Sequence, residues 1–412
     1  MAAVDAGRGR RLPSPEPGLR LEAPIQILGG YTSRKGAAVH RAGKRLIAGL
    51  LLLVAAAFAA ERRAKNVVLF LGDGTGPATI NAASIHGYNE PRKLFIQNMP
   101  HIGLSETSSA SSWVCDSAAG MTAIVTGHKT HNGVISQSAA AIRGKQDGDP
   151  LKTILEYAEE RGLSTGVVSN SSMADATPAA CYAHSNDRSK HGEIFAQVLK
   201  PRFGDGVDVI IGPGRTAIYD ATQKLGIELE KELPAKGFQV PESLDAVPAD
   251  ARRVVLLFSE ASFDLAAAAQ KAVDILSRNP KGFFLMVESN NHSRDVKQTL
   301  ERTVAMDRII KATAERLSVD DTLILFTADH SYDLRLPRGP KSEGILDKVK
   351  IDGSHTAEEV LVAARGPGAE RVRGILPNTE LFHIMKAAYG WEAPAKPAPR
   401  KATPKRAATN AR

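Results

Sequence analysis

The sequence predicts an α/β fold, a doubly wound three-layer α/β/α sandwich with a mostly parallel central sheet. Seven short runs rich in Val, Ile, Leu and Phe follow residue 66, and each is apolar throughout rather than alternating. Such runs are typical of strands that helices cover on both faces. Apolar residues recur at helical spacing between several of the runs, so strands and helices alternate along the chain.

The predicted strands are 67–71, 165–169, 207–211, 254–258, 283–287, 323–326 and 360–363. Helical spacing predicts helices over 151–158, which Gly162 ends, and over 266–276 and 300–317. No internal repeat and no composition change marks a second domain. We therefore predict a single catalytic domain over residues 61–391.

Composition excludes several protein classes. The chain has 412 residues, 43% hydrophobic and 24% charged, which excludes a disordered, collagenous or multi-span membrane protein. The net charge of +8 lies at the two ends: residues 1–60 carry +6 and 392–412 carry +5, which leaves −3 for residues 61–391. A net acidic body without a recognition motif predicts no specific nucleic-acid binding.

Residues 1–60 predict an export leader. The basic run RAGKR at 41–45 precedes an apolar h-region at 46–60, LIAGLLLLVAAAFAA, with small residues at Ala57 and Ala59. A membrane span needs ~20 residues, so this shorter run indicates a signal peptide that is removed. The expected location is periplasmic or extracellular, with no stable span after removal. A retained N-terminal anchor is the alternative.

The C-terminal end and the cysteines carry weaker signals. Residues 392–412 are rich in Pro, Ala, Lys and Arg, which predicts a disordered basic tail. Cys115 and Cys181 are the two cysteines of the chain. Export permits a disulfide, but the sequence leaves their pairing open, and a small buried residue is the expected role of each.

Acidic residues follow three of the predicted strands. Asp73 comes after the first strand, Glu288 ends the strand at 283–287, and Asp329-His330 follows the strand at 323–326. Ligands bind beyond the carboxyl ends of strands in such sheets. Carboxylates and a histidine that converge there predict a metal site.

Ser117 lies at the predicted start of a helix. The segment CDSAAG at 115–120 leads into the helix-compatible run MTAI, and amide N–H groups at a helix N-terminus favour anions. The alternative is that Ser117 only caps the helix.

Together these segments resemble the alkaline phosphatases, which are phosphomonoesterases with two zinc ions and one magnesium ion. The resemblance covers most of residues 66–391. Its motifs are LFLGDGTG at 69–76, VCDSAAG at 114–120, MADATPAA at 173–180, AHSNDR at 183–188, FFLMVE at 283–288, FTADHS at 326–331 and GSHT at 353–356.

The resemblance implies a role for each matching residue. Ser117 is the nucleophile that becomes phosphorylated, and Arg188 clamps the phosphate. For one zinc the implied residues are Asp73, Asp329 and His330, and for the second, outer zinc they are His292 and His355. For magnesium they are Asp73, Glu288 and Thr177, and Asp175 forms hydrogen bonds with the waters on the magnesium. Zinc activates a serine hydroxyl, and an arginine guanidinium can donate hydrogen bonds to two phosphoryl oxygens at once. Magnesium prefers oxygen ligands.

One segment departs from the family pattern. In the family, four residues separate the strand-end glutamate from an aspartate, and three more separate that aspartate from a histidine. The aspartate and the histidine bind the outer zinc. Here Glu288 is followed by SNNHSRD. A five-residue shortening keeps His292 and loses the aspartate, with Asp295 or Asn290 as substitutes that the sequence leaves open. We expect this outer zinc site to be weakened.

The resemblance implies hydrolysis of small phosphate monoesters through a phosphoserine on Ser117, with release of inorganic phosphate. The alternatives are a degenerate homologue that binds phosphoesters with little hydrolysis, and a diesterase or a phosphotransferase that passes phosphate to alcohols. Family members are commonly dimers, which makes a homodimer compatible with the sequence.

Overall fold

A computed structural model describes residues 62–259, 263–342 and 344–392. The predicted leader at 1–60 and the tail beyond residue 392 lie outside them. Within the described residues, no helix combines the length and apolar character that crossing a membrane requires.

Eleven strands occur in the described residues. They are β1 (Asn66–Asp73), β2 (His101–Ser105), β3 (Ser164–Ser169), β4 (Val209–Pro213), β5 (Val254–Phe258), β6 (Phe283–Asn290), β7 (Thr322–Thr327), β8 (Ser331–Arg335), β9 (Lys350–Thr356), β10 (Val360–Arg365) and β11 (Gly374–Leu376). Nine form one sheet in the order β11-β2-β10-β7-β1-β6-β3-β4-β5, and β8 and β9 form a separate hairpin.

The central part of the large sheet is parallel, as predicted. Strands β7, β1, β6, β3, β4 and β5 pair in parallel, and β10 is antiparallel to both β7 and β2. The register aligns Leu71 of β1 with Glu288 of β6 and with Thr327 of β7, and Glu288 with Ser169 of β3. Four strands therefore end at the same edge of the sheet.

Helices cover both faces of the sheet. They are α1 (Pro77–Tyr88), α2 (Ser117–Thr126), α3 (Ile154–Glu160), α4 (Ala176–Tyr182), α5 (His191–Ala196), α6 (Arg215–Gln223), α7 (Leu229–Ala235), α8 (Leu265–Leu276), α9 (Val296–Arg316) and α10 (Glu380–Ala388). Leu69 of β1 joins the buried cluster that includes α2, α4 and α10, whereas its neighbour Phe70 joins the cluster that includes α1, α8 and α9. This arrangement confirms the three-layer fold class.

All seven predicted strands and all three predicted helices correspond to observed elements; the strand at 254–258 has the predicted bounds, and the others have shifted ends. The strand predicted at 207–211 is Val209–Pro213, and the helix predicted at 300–317 begins earlier, at Val296, because Asp295 caps it by accepting a hydrogen bond from Gln298 N. Both cysteines are buried and free, in accordance with the expected structural role.

Candidate active site

Asp73, Asp329 and His330 meet beyond the ends of β1 and β7. His330 Nε2 lies 3.3 Å from Asp73 Oδ1 and 3.4 Å from Asp329 Oδ2. Among the described residues, these three form the one group of three or more His, Cys, Asp or Glu side chains close enough to share a metal ion. The convergence predicted from the strand ends is therefore present for these three.

The carboxylates of this group have unsatisfied oxygens. Asp73 Oδ1 and Asp329 Oδ2 are buried and accept no hydrogen bond from a described residue. Burying a carboxylate oxygen without a donor is costly, and a bound cation removes that cost. The donor set of two carboxylates and one imidazole suits zinc, so the residues present fit a metal ion.

His292 and His355 flank the same group. His292 Nε2 lies 3.2 Å from Asp73 Oδ2, and the ring of His355 stacks on that of His330 with centroids 3.6 Å apart. Gly74 allows the approach of His292: its φ of +69° is in the left-handed region, and a Cβ there would lie 2.6 Å from His292 Cβ. The hairpin brings His355 to the site, where its Nδ1 lies 3.1 Å from Cys115 O.

Ser117 is the first residue of α2 and faces the metal group. Its Oγ lies 3.4 Å from His330 Nε2. The N-cap of the helix is Asp116, whose Oδ1 accepts a hydrogen bond from Ala119 N at 3.1 Å. Ser117 therefore does not have the capping role that the sequence left open. Gly120 permits close packing here, because a Cβ would lie 2.9 Å from Asp329 O.

Arg188 points at the start of α2 from a neighbouring loop. Its Nη1 donates to Asp116 Oδ2 at 3.1 Å and its Nη2 donates to Asp175 Oδ1 at 2.9 Å. Burial opposes the charge of Arg188, but the two carboxylates keep its pKa above the usual value. The guanidinium is thus a fixed cation beside Ser117, at the N-terminus of α2.

The other predicted magnesium residues lie on β6 and at the start of α4. Glu288 is buried in β6, and its Oε2 accepts a hydrogen bond from Ser169 Oγ. Asp175 caps α4, and Thr177 is buried in the first turn of that helix. Among the described residues, the Thr177 side chain forms no hydrogen bond with these acids. Its part in this site therefore stays a prediction.

The buried acids repel one another. Burial and the charge of Asp73 raise the pKa of Asp329 to about 6, and the same two causes raise the pKa of Glu288 well above its usual range. Burial acts on Asp73 too, but the hydrogen bond from His292 and the nearby histidine charges hold its pKa below the usual value. Cations would favour the ionised form of all three.

Comparison with known proteins identifies the family. The family model described as alkaline phosphatase matches residues 64–236 and 259–344. The chain belongs to the alkaline phosphatase family. Among its relatives, the tissue-nonspecific alkaline phosphatase of Homo sapiens is 30% identical over 394 residues, which cover 79% of this chain and 75% of that protein. The streptomycin-6-phosphate phosphatase of Streptomyces griseus is 31% identical over 444 residues, which cover 85% and 97%.

Solved structures agree with this assignment. The alkaline phosphatase from the Antarctic bacterium TAB5 superposes with a TM-score of 0.69 and 26% identity over 81% of this chain and 99% of that one. A variant of the TAB5 enzyme has been solved with magnesium bound in its M3 site. The chain is accordingly a phosphomonoesterase of the metal-dependent alkaline phosphatase family, which confirms the predicted enzyme class.

The alkaline phosphatase fold also shows contributions that the sequence analysis did not assign. Asp116 holds Arg188 as well as α2, Ser169 binds Glu288, and the ring of Tyr332 lies 5.0 Å from that of His292. An acidic residue directly before a helix start is a recognisable N-cap signal. No sequence signal identifies the other two contacts, because they depend on how the strands are placed.

Proposed function

We propose that the chain hydrolyses small phosphate monoesters through a phosphoserine on Ser117 and releases inorganic phosphate. The observation that carries the proposal is the position of Ser117 Oγ, 3.4 Å from His330 Nε2 and at the N-terminus of α2. The proposed nucleophile thus lies beside the candidate metal group, and the arginine is held by the residue that precedes Ser117.

Arg188 orients the phosphoryl group in this proposal. Its planar guanidinium offers two parallel N–H donors to two phosphoryl oxygens, a geometry that lysine lacks. Asp116 and Asp175 fix its direction through hydrogen bonds of 3.1 and 2.9 Å. A diester has one oxygen fewer to offer this fork, so the arrangement favours monoesters.

Ser117 carries the covalent step. Its Oγ forms a bond to phosphorus while the bond from phosphorus to the ester oxygen breaks, and the alcohol leaves after taking up a proton. A water oxygen then bonds to phosphorus and the phosphoserine bond breaks, which regenerates Ser117 and frees phosphate. The amides at the start of α2 favour the anionic groups that develop there.

Candidate metal residues surround the serine. Asp73, Asp329 and His330 would hold one zinc, His292 and His355 a second, and Asp73, Glu288 and Thr177 magnesium, with Asp175 bonding its waters. Bound ions of this kind supply positive charge that stabilises a serine alkoxide, a leaving oxygen and hydroxide. The unpaired buried oxygens of Asp73 and Asp329 support this assignment.

A phosphotransferase, or a homologue that binds phosphoesters with little hydrolysis, is the second candidate. It is favoured by the outer pair, His292 and His355, because the one carboxylate that contacts this pair among the described residues, that of Asp73, also belongs to the inner group. Slow attack by water would let an alcohol take the phosphoryl group instead. Comparing phosphate release with and without an added amino alcohol acceptor separates the two functions.

Two further features complete the proposal. The leader supports export to the periplasm or the extracellular space, which N-terminal sequencing of exported protein would test. We also propose a homodimer on the basis of the family, which light scattering on the purified protein would test.

The decisive experiment is hydrolysis of 4-nitrophenyl phosphate at alkaline pH by the full chain loaded with zinc and magnesium. We expect turnover that Ser117→Ala abolishes and that the exposed, distant control Ser277→Ala leaves unchanged. Acid quenching followed by peptide mass spectrometry should find phosphate on the peptide that contains Ser117. Turnover that survives in Ser117→Ala would contradict the proposal.

A further inference from the structure

The segment after β6 provides no carboxylate for the outer metal position. Asn290 Nδ2 donates to Ser171 Oγ at 3.1 Å, and Asn291 Nδ2 donates to Thr75 Oγ1 at 2.9 Å. Asp295 is exposed and caps α9 through Gln298 N. Asp295 and the amide nitrogen of Asn290, the two substitutes that the sequence left open, are therefore engaged elsewhere. Asn290 Oδ1 has no partner among the described residues, but it is a neutral amide oxygen, which zinc does not favour.

Apart from Asp73, which contacts His292, the neighbours of the outer pair are aromatic rings. The rings of His292 and His355 are 5.9 Å apart, and the ring of Tyr332 lies 5.0 Å from the first and 6.2 Å from the second. Tyr332 and His355 are directly paired residues of β8 and β9, so their side chains lie on one face of the hairpin. The third ring beside this histidine pair is thus a phenol.

The side chain of Arg294 approaches the Tyr332 hydroxyl. Arg294 Nε is 2.8 Å from the point where a Cβ on Gly353 would stand, and the Tyr332 hydroxyl is 3.2 Å from the same point. Among the described residues, Arg294 forms no ion pair or hydrogen bond. Its positive charge opposes a second divalent cation nearby.

We propose that this enzyme binds one transition-metal ion tightly, at Asp73, Asp329 and His330, and that the outer position binds a second ion at least ~100-fold more weakly. Loss of a supporting ligand contact alone costs 10–100-fold in metal affinity, and among the described residues the one carboxylate that contacts either histidine is that of Asp73, which also belongs to the inner group. The inference rests on the proposed function only in taking the inner group as a metal site.

The test is metal binding, not turnover. The full chain is stripped with a chelator and titrated with zinc, in the presence of magnesium, against a chromophoric zinc chelator. We expect one tight equivalent in the wild-type protein. His330→Ala should abolish it, and circular dichroism should show that each variant remains folded.

Variants at Tyr332 examine the outer position directly. Tyr332→Asp places a carboxylate about where the ring lies, next to both histidines, and should strengthen the second zinc equivalent ~10-fold or more. Tyr332→Phe, the matched control, keeps the ring and should leave both affinities unchanged. Two equally tight equivalents in the wild-type protein would overturn the proposal, as would loss of the second equivalent in Tyr332→Phe, which would make the phenol a ligand.

Failure of this inference is distinguishable from failure of the proposed function. Two tight zinc ions together with Ser117-dependent hydrolysis would overturn the inference alone. One tight zinc ion without Ser117-dependent hydrolysis would support the inference and overturn the proposed hydrolysis.

Discussion

The carboxylate of Asp116 binds both the start of α2 and the guanidinium of Arg188. Its Oδ1 accepts from Ala119 N at 3.1 Å, and its Oδ2 accepts from Arg188 Nη1 at 3.1 Å and from Gly133 N at 2.9 Å. One side chain thus fixes the helix that carries Ser117 relative to the arginine that faces it. Helix capping and the placement of Arg188 are coupled in this enzyme.

We expect Asp116→Ala to lower the free energy of unfolding by about 1–2 kcal/mol, because it removes the N-cap of α2. Asp116→Asn should retain most of that free energy, since asparagine is an equally good cap. Urea unfolding of metal-loaded protein measures both changes. Equal destabilisation by the two substitutions would show that the charge on Asp116, rather than the cap, supports this region.

Arg188→Lys should raise the inhibition constant for inorganic phosphate ~10–100-fold. Hydrogen bonds to charged groups contribute ~1.5–3 kcal/mol each, and lysine cannot form the two-pronged contact. Competitive inhibition of 4-nitrophenyl phosphate hydrolysis measures the constant. Arg316→Lys, on the exposed side of α9 where Arg316 pairs with Asp274, is the matched control. Phosphate inhibition unchanged in Arg188→Lys would exclude Arg188 from phosphate binding.

The sequence predicted the buried sheet better than its margins. Strands such as β1 and β6 are apolar throughout because helices cover both faces. The short strand β11 and the hairpin strand β9 were not predicted. Their residues are mostly exposed or half-buried, and without a buried face they carry no apolar run.

The same contrast holds in the site. Asp73, Asp329 and His330 could be predicted to meet because strand order and direction bring strand ends together. The double role of Asp116, and the place of Tyr332 beside His292, could not be predicted, because both depend on how loops and the hairpin pack on the sheet. Distances of this kind are tertiary properties with no local sequence pattern.

Glu159 predicts a pH-dependent loss of stability far from the active site. It is buried, one oxygen has no hydrogen-bond donor among the described residues, and Thr165 Oγ1 donates to the other. Burial is the main cause that raises its pKa from 4.5 to about 9. Between these pH values the unfolded chain loses a proton that the folded chain keeps, so this group lowers stability as pH rises.

We therefore expect Glu159→Gln to flatten the decline in stability between pH 5 and 9, by up to about 1.4 kcal/mol per pH unit. Urea midpoints at several pH values measure the difference from the wild-type protein. Glu230→Gln, on the exposed surface of α7, should leave the decline unchanged. A Glu159→Gln profile parallel to that of the wild-type protein would show that Glu159 is ionised in the folded state.

Trp113 predicts a preference among ester substrates. Its side chain is 85% exposed, and it lies four residues before Ser117. The loop around it is fixed by hydrogen bonds from Ala110 N to Thr130 O at 2.9 Å and from Asn132 Nδ2 to Val114 O at 3.1 Å. An exposed large ring four residues from the proposed nucleophile can stack on an aromatic leaving group, a contact of ~0.5–1.5 kcal/mol.

Trp113→Ala should raise KM for 4-nitrophenyl phosphate ~2–10-fold, the range to which that stacking energy converts. KM for glycerol phosphate and the inhibition constant for phosphate should stay unchanged, because neither ligand has a ring. Ile102→Ala is the control for general surface effects, because Ile102, which lies on β2, is also an exposed apolar residue. An equal rise in KM for both esters would point instead to displacement of the loop that precedes Ser117, since that loop also positions Asp116 and with it Arg188, the proposed phosphate-binding arginine.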